Sequence, residues 1–181
     1  IKRSKGKNRV DRIEQMLPKS ERAILQMISI VTDVRNLASV SEWSDGVVPE
    51  AISIKSVIDN SLVDMNHMAA SKEIRIISNV SDDLPLVTGF EKKLRSNVFN
   101  NLLSNAIKFS KKGDMIEINS HINQEHVVIE IRDNGKGIDS EFREGLFEQH
   151  IKTHSKGSQG ESGTGFGLPI VSSVLDICFA E

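Results

Sequence analysis

Asparagines recur at 97, 101 and 105, four residues apart, and Lys108 follows within the segment NNLLSNAIKFS (100–110). On a helix that spacing puts all four on one face. Asparagine forms helices poorly because its side chain competes for backbone hydrogen bonds. Its repetition beside Leu102, Leu103, Ala106, Ile107 and Phe109 therefore asks for a polar partner on that face. A carboxamide oxygen on Asn105 suits a hard cation such as Mg2+, which otherwise keeps water and phosphate oxygens around it. Lys108, one turn further, can meet phosphate as a point charge. Taken singly, each asparagine reads equally as a cap or a surface amide.

Two glycine stretches follow. In DNGKG (133–137) a carboxylate stands at the end of an apolar run, beside Gly135 and Gly137. Such an aspartate can accept a hydrogen bond from an exocyclic amine, while glycines let a flat ring approach the main chain. Alone, the stretch is also a plain Asp-Asn-Gly turn. In GTGFGLP (163–169) three glycines alternate just before a helix, where main-chain N–H groups and the helix N-terminus can face an anion. It lacks the GK[ST] of a Walker loop and the strand-first GxGxxG of a dinucleotide fingerprint. The apolar Phe166, Leu168 and Ile170 argue against a simple flexible linker.

These residues need elements to hold them. Pro18-Lys19-Ser20-Glu21 reads as a helix start, and Ile24, Met27, Ile28, Val31, Val34 and Ala38 then form a narrow apolar seam up to about residue 43. That seam fits a helix lying on its own domain and a bundle or dimer seam equally well. Ser44-Asp45-Gly46 and Pro49 mark a linker. The pattern beyond predicts a helix over 55–70, a strand over 73–80, a loop over 81–85 and the asparagine helix over 91–109. Strands over 114–122 and 126–133 alternate apolar and polar residues around an Asn123-Gln124-Glu125 turn, which predicts an antiparallel pair. A last helix covers 167–178. Helices and antiparallel strands in separate runs predict an α+β fold, a two-layer sandwich with helices over one face of a sheet. Its expected organisation is a helical segment at 1–47 and a second domain at 48–181.

The composition narrows the function classes. A net charge of −2 recruits neither nucleic acid nor an anionic membrane surface. One cysteine, Cys178, excludes an internal disulfide framework and suits a reducing compartment. No apolar run approaches the ~20 residues of a membrane-spanning helix. The chain reads as a piece of something longer. His150 and His154 are spaced by one helical turn without a third metal ligand in view, so they read as surface residues. His67, Cys178 and Trp43 read as structural, and His121 and His126 flank the hairpin turn.

The order NxxxNxxK, then DxGxG, then GTGxGL resembles the ATP-binding domain of sensor histidine kinases, from about Ile52 to Ile177. The resemblance implies the Bergerat fold, with a mixed sheet covered by helices, and ATP and Mg2+ as ligands. It implies Asn105 as the metal ligand, with Asn101 supporting the site and Lys108 near the phosphates. Asp133 would read the adenine amine beside Gly135 and Gly137. Gly163, Thr164, Gly165, Phe166, Gly167 and Leu168 would form the phosphate-side hinge of a lid over about 139–162. LFEQHIK (146–152) matches the family's phenylalanine motif at Leu146, Phe147 and Glu148, while His150 and Ile151 replace its aromatics. Lys152 stands where the family often has a phosphate-facing arginine.

The family's partners would be a response-regulator receiver domain and a second copy, paired through the helical segment. The domain would be cytoplasmic, with a membrane anchor elsewhere in the parent left open. Related hydrolysing ATPases carry a glutamate four residues before the metal-binding asparagine; here that position is Asn101, which cannot act as a general base. This favours phosphoryl transfer to a histidine over rapid hydrolysis. No histidine precedes His67, so the phosphoacceptor must come from elsewhere. The aspartate the family shows shortly before the asparagine helix is replaced around Gly89-Phe90, and the His-Gly-Gly expected after the last helix reads Cys178-Phe179-Ala180. A signalling module with the same fold but no catalysis, or with phosphatase activity, is the alternative; a hydrolysing ATPase is the third.

Overall fold

The structure, a computed structural model, describes residues 2–40, 48–143, 145–148, 157–158 and 164–179. It opens with one long helix, α1 (Lys2–Val40). Pro18 lies inside it rather than at its start, so the expected boundary near residue 18 does not exist. An internal proline removes one main-chain hydrogen bond, and the flanking turns are nevertheless continuous here. The apolar seam of α1 is not packed on its own domain: Ile24, Met27, Ile28 and Val31 are each more than half exposed.

The second part contains the predicted helices and strands and several short elements besides, two of them next to the start of the asparagine helix. β1 (Glu50–Ile52) leads into α2 (Ile54–Ser71), whose N-cap Ser53 accepts a hydrogen bond from the Ser56 N–H at 3.3 Å. β2 (Arg75–Asn79) follows. The first of those two is β3 (Val87–Gly89), a three-residue strand pairing antiparallel with β1. Such short ribbons leave almost no periodic signal. The asparagine helix begins with α3 (Glu91–Lys93) and ends as α4 (Asn100–Phe109). The second lies between them, where Leu94–Phe99 form a π-helical segment.

β4 (Met115–Asn123) runs parallel to β2 and antiparallel to β5 (His126–Asp133), giving the sheet order β2-β4-β5. Gln124, with φ of 55°, makes the tight turn between β4 and β5. A short helix α5 (Ser140–Arg143) and the C-terminal α6 (Gly167–Phe179) complete the order. The core is one helical layer on one face of the sheet. Val57 and Ile58 of α2, Leu103 of α4 and Ile170, Val171 and Val174 of α6 join Ile118 of β4 in a single buried cluster. Ile116 of β4 meets Ala69, Ala106 and Ile107 in a second one. Full burial of a residue such as Leu103 contributes about 1.5–3 kcal/mol. That packing fixes the rotation of α4 about its axis, and with it the direction of its polar face.

Candidate functional site

The π-helical segment changes the asparagine stripe. The Asn100 N–H bonds to the Arg95 carbonyl, five residues back, so the turn holds more residues than an α-helical one. Asn97 is consequently buried, its Oδ1 accepting a hydrogen bond from the Ser96 hydroxyl, and it does not share the open face of Asn101 and Asn105. The sequence spacing alone placed it there; the wider turn, which rotates less per residue than an α-helix, shifts it off that face. Asn101 keeps a link to that residue, its Nδ2 donating to the Asn97 carbonyl at 2.8 Å.

Asn101 and Asn105 are both half-buried and face the start of α6. A Cβ placed on Gly167 would lie 3.7 Å from Asn105 Nδ2 and 3.9 Å from Asn101 Oδ1. The amide pair and the N-terminus of α6 therefore line the same space. Pro169 sits in the first turn of α6, where its missing N–H costs nothing. Gly165 holds φ of 82°, a left-handed conformation that glycine adopts freely. Phe166 packs against the core cluster and Leu168 is half-buried, so the loop is anchored by its apolar residues.

At the other end of α4, Asp133 closes β5. Its Oδ1 accepts a hydrogen bond from the Gly135 N–H at 2.8 Å. A Cβ on Gly135 would come within 2.7 Å of that same oxygen and 2.9 Å of the Phe109 carbonyl. Only a glycine fits this cradle. The aspartate loop is thus pressed onto the last turn of the asparagine helix, and Gly137, with φ of 72°, turns the chain away. Lys108 Nζ lies 5.0 Å and Lys136 Nζ 5.6 Å from the centroid of the Phe109 ring. Two cations flank one aromatic face beside the loop.

Of the residues singled out in the sequence, Asn101, Asn105, Lys108, Asp133, Gly135, Gly137, Thr164, Gly165, Phe166, Gly167 and Leu168 lie along α4 or at its two ends. Lys152, Gly163, His150, Ile151, His154 and Trp43 fall outside the described residues. His67, His121 and His126 are exposed, and Cys178 is half-buried against the core. Burial pushes the Cys178 thiol up from its ordinary range. Among the described residues no three His, Cys, Asp or Glu side chains gather to hold a metal ion. Sequence reasoning missed three residues at the site's margins. Asp33 of α1 accepts a hydrogen bond from the Thr164 hydroxyl, and burial raises its carboxyl above the ordinary range although that bond works the other way. Lys72 and Ser158 meet at the C-terminus of α4. None of the three sits in a motif, so only the fold could find them.

Residues 91–178 match the family described as histidine kinase-, DNA gyrase B-, and HSP90-like ATPase. The site just described lies on that stretch. The individual similarities point one way. The chain is 29% identical over 146 residues to the sensor protein KdpD of Clostridium acetobutylicum, covering 79% of this chain and 16% of the relative. It is 30% identical over 117 residues to the adaptive-response sensory kinase SasA of Crocosphaera subtropica, covering 64% of this chain and 30% of the relative. Among solved structures, a mycobacterial sensor histidine kinase, MprB, aligns with a TM-score of 0.60 and 29% identity over 71% of this chain and 78% of that one. Full-length ShkA in complex with AMPPNP aligns with a TM-score of 0.68 and 25% identity, over 88% of this chain and 32% of that one. In sequence and fold the chain is similar to sensor histidine kinases. It spans 16% of the length of that KdpD and 30% of that SasA.

Proposed function

We propose that the chain binds Mg-ATP between α4 and the glycine segment before α6, and presents the γ-phosphate to a histidine supplied outside this segment or by a partner chain. The observation that carries this reading is the convergence of the Asn101 and Asn105 amides on the start of α6 at one end of the site, with the Asp133–Gly135 cradle packed on Phe109 at the other. A purine ring needs one polar anchor and a close main-chain approach. Asp133 would accept from the adenine amine, with Gly135 and Gly137 lining the ring. A polyphosphate needs N–H donors and cations, which Thr164, Gly165, Phe166, Gly167, Leu168 and Lys108 would supply with Gly163 and Lys152.

The donor set fits Mg2+ bound chiefly through phosphate. Asn105 turns Nδ2 toward Gly167, which leaves the oxygen arm of its amide for a cation, and a neutral oxygen is a suitable single protein ligand when phosphates and waters provide the rest. When bound, Mg2+ would neutralise the charge that develops during phosphoryl transfer. Asn101 would steady the site, its own amide held by the Asn97 carbonyl. With no carboxylate at position 101, the site has no general base there to activate water, which supports transfer over hydrolysis.

On this reading residues 48–181 are the catalytic domain and 1–47 are part of a dimerisation and phosphoacceptor-type bundle, whose exposed seam on α1 would meet a second copy. A receiver-domain aspartate would take the phosphoryl group onward. The domain would work in the cytoplasm, without nucleic acid and without membrane contact of its own; among the described residues no helix is long and apolar enough to cross a membrane.

Calorimetry with ATP, with and without Mg2+, tests the reading. The expected result is Mg-dependent binding that weakens at least tenfold in Asn105→Ala. No binding, or binding unchanged in that variant, would favour the non-catalytic alternative.

A further inference from the structure

The π-helical turn at the start of α4 is closed by the bond from the Asn100 N–H to the Arg95 carbonyl. The side chains of those same two residues meet on one carboxylate. Asp64 of α2 accepts from Arg95 Nε at 2.8 Å, from Arg95 Nη2 at 2.7 Å and from Asn100 Nδ2 at 3.1 Å. A single side chain on a neighbouring helix therefore staples both ends of the wide turn. On its inner side Leu94, Val98 and Phe99 are buried, so the turn is held from two directions. Turns of this kind are rare and recur at functional sites.

Asn97 lies within the stapled turn and is 5% exposed, which leaves its carbonyl little room to move. That carbonyl accepts from Asn101 Nδ2 at 2.8 Å. A carboxamide has one donor end and one acceptor end. With its donor end engaged backwards, Asn101 presents Oδ1 to the start of α6, 3.9 Å from where a Cβ on Gly167 would lie. Asn105 presents the opposite end there, its Nδ2 3.7 Å from the same point. Turning Asn101 over would set its oxygen against the Asn97 carbonyl and leave two amide nitrogens facing the same space. The direction of the Asn101 amide thus depends on where the wide turn holds the Asn97 carbonyl.

We propose that Asp64 is a positioning residue for the Asn101 carboxamide, acting through Arg95, Asn100 and the π-helical turn, and thereby for the triphosphate end of the ligand. This inference rests on the nucleotide reading above. A staple that aims the Asn101 oxygen before the ligand arrives lowers the ordering cost of binding. The influence of Asp64 on the ligand passes by way of Asn101, so it should vanish when that amide is absent. The adenine end, at the far end of α4, should not depend on it.

A double-mutant cycle tests this, with the whole chain titrated with the non-hydrolysable analogue AMPPNP plus Mg2+, and separately with adenosine. Asp64→Ala removes an exposed carboxylate without opening a cavity. It is expected to weaken Mg-AMPPNP about 3–10-fold in the wild-type background but less than about twofold in Asn101→Ala, as groups acting in one chain of contacts do. Arg95→Ala should reproduce the loss and add nothing to Asp64→Ala. Adenosine should bind Asp64→Ala as it binds wild type. Equal losses of Mg-AMPPNP in the two backgrounds, no loss in the wild-type background, or an equal loss for both ligands would each overturn the positioning role. So would an Asn101→Ala variant that binds Mg-AMPPNP as tightly as wild type. A wild-type chain that binds neither ligand would remove the nucleotide reading itself, and this inference with it.

Discussion

Two helices with similar apolar spacing meet opposite fates in this molecule. α1 repeats Ile24, Met27, Ile28, Val31 and Val34 at steps of three and four, and all five remain exposed. α4 repeats Leu103, Ala106 and Ile107, and all three are buried against α2, the sheet and α6. The periodicity specifies a face in both cases. It does not specify what covers that face, and for α1 the cover is not its own domain. α4 differs in a second way, because its opposite face is half-polar and lines a space shared with the α6 glycines. A helix packed on one side and tied to Asp64 of α2 through Asn100 on another has its rotation fixed twice.

The largest expected effect breaks the packed side of α4. Leu103 is fully buried, and Leu103→Ala removes its contacts with α2 and α6 and leaves a cavity. A loss of ~2–5 kcal/mol in unfolding free energy is expected, read by denaturant or thermal melts. The matching change on α1, Ile28→Ser, touches an exposed residue. Monomer stability should then change by no more than ~0.5 kcal/mol. Self-association, followed by analytical ultracentrifugation, should weaken instead. A large loss of monomer stability in Ile28→Ser would show that α1 lies on its own domain after all, and the contrast between the two helices would collapse.

The same contrast marks how far the sequence could be read. The strands β2, β4 and β5 and the helices α2, α4 and α6 were legible because each carries apolar residues at a regular period. The antiparallel pairing of β4 and β5 followed from alternation around a short turn. β1 and β3 were missed because three residues make no pattern, and the helix start at Pro18 was misplaced because α1 continues through that proline despite one lost hydrogen bond. Asn97 was put on the wrong face because a π-helical turn cannot be seen in a spacing rule built on 3.6 residues. The motif glycines were legible as a set. Gly135 became a requirement only when the Phe109 carbonyl was found pressed against it. Lys72, Ser158 and Asp33 carried no signal, since a lone lysine, serine or aspartate gains meaning only from what lies within reach of it.

A finer test of the doubly fixed helix lies on its exposed shoulder. Arg95, at the π-helical segment, forms a two-point ion pair with Asp64 of α2, at 2.8 and 2.7 Å. Asn100 Nδ2 adds a third bond to the same carboxylate at 3.1 Å. These bonds hold the Asp64 pKa down at about 2, from an ordinary value of 3.8. A carboxylate whose folded pKa is depressed stabilises the fold above its unfolded pKa and loses that contribution as pH falls through the folded value. The clamp should therefore be at full strength above about pH 4 and fade toward pH 2. The effect will be small and salt-sensitive, because the pair is exposed to solvent screening. Urea melts across that range should show wild-type stability falling more steeply with acidification than that of Asp64→Asn. Parallel pH profiles would mean that the clamp contributes nothing and that the apolar face alone orients α4, leaving the direction of the amide pair to packing.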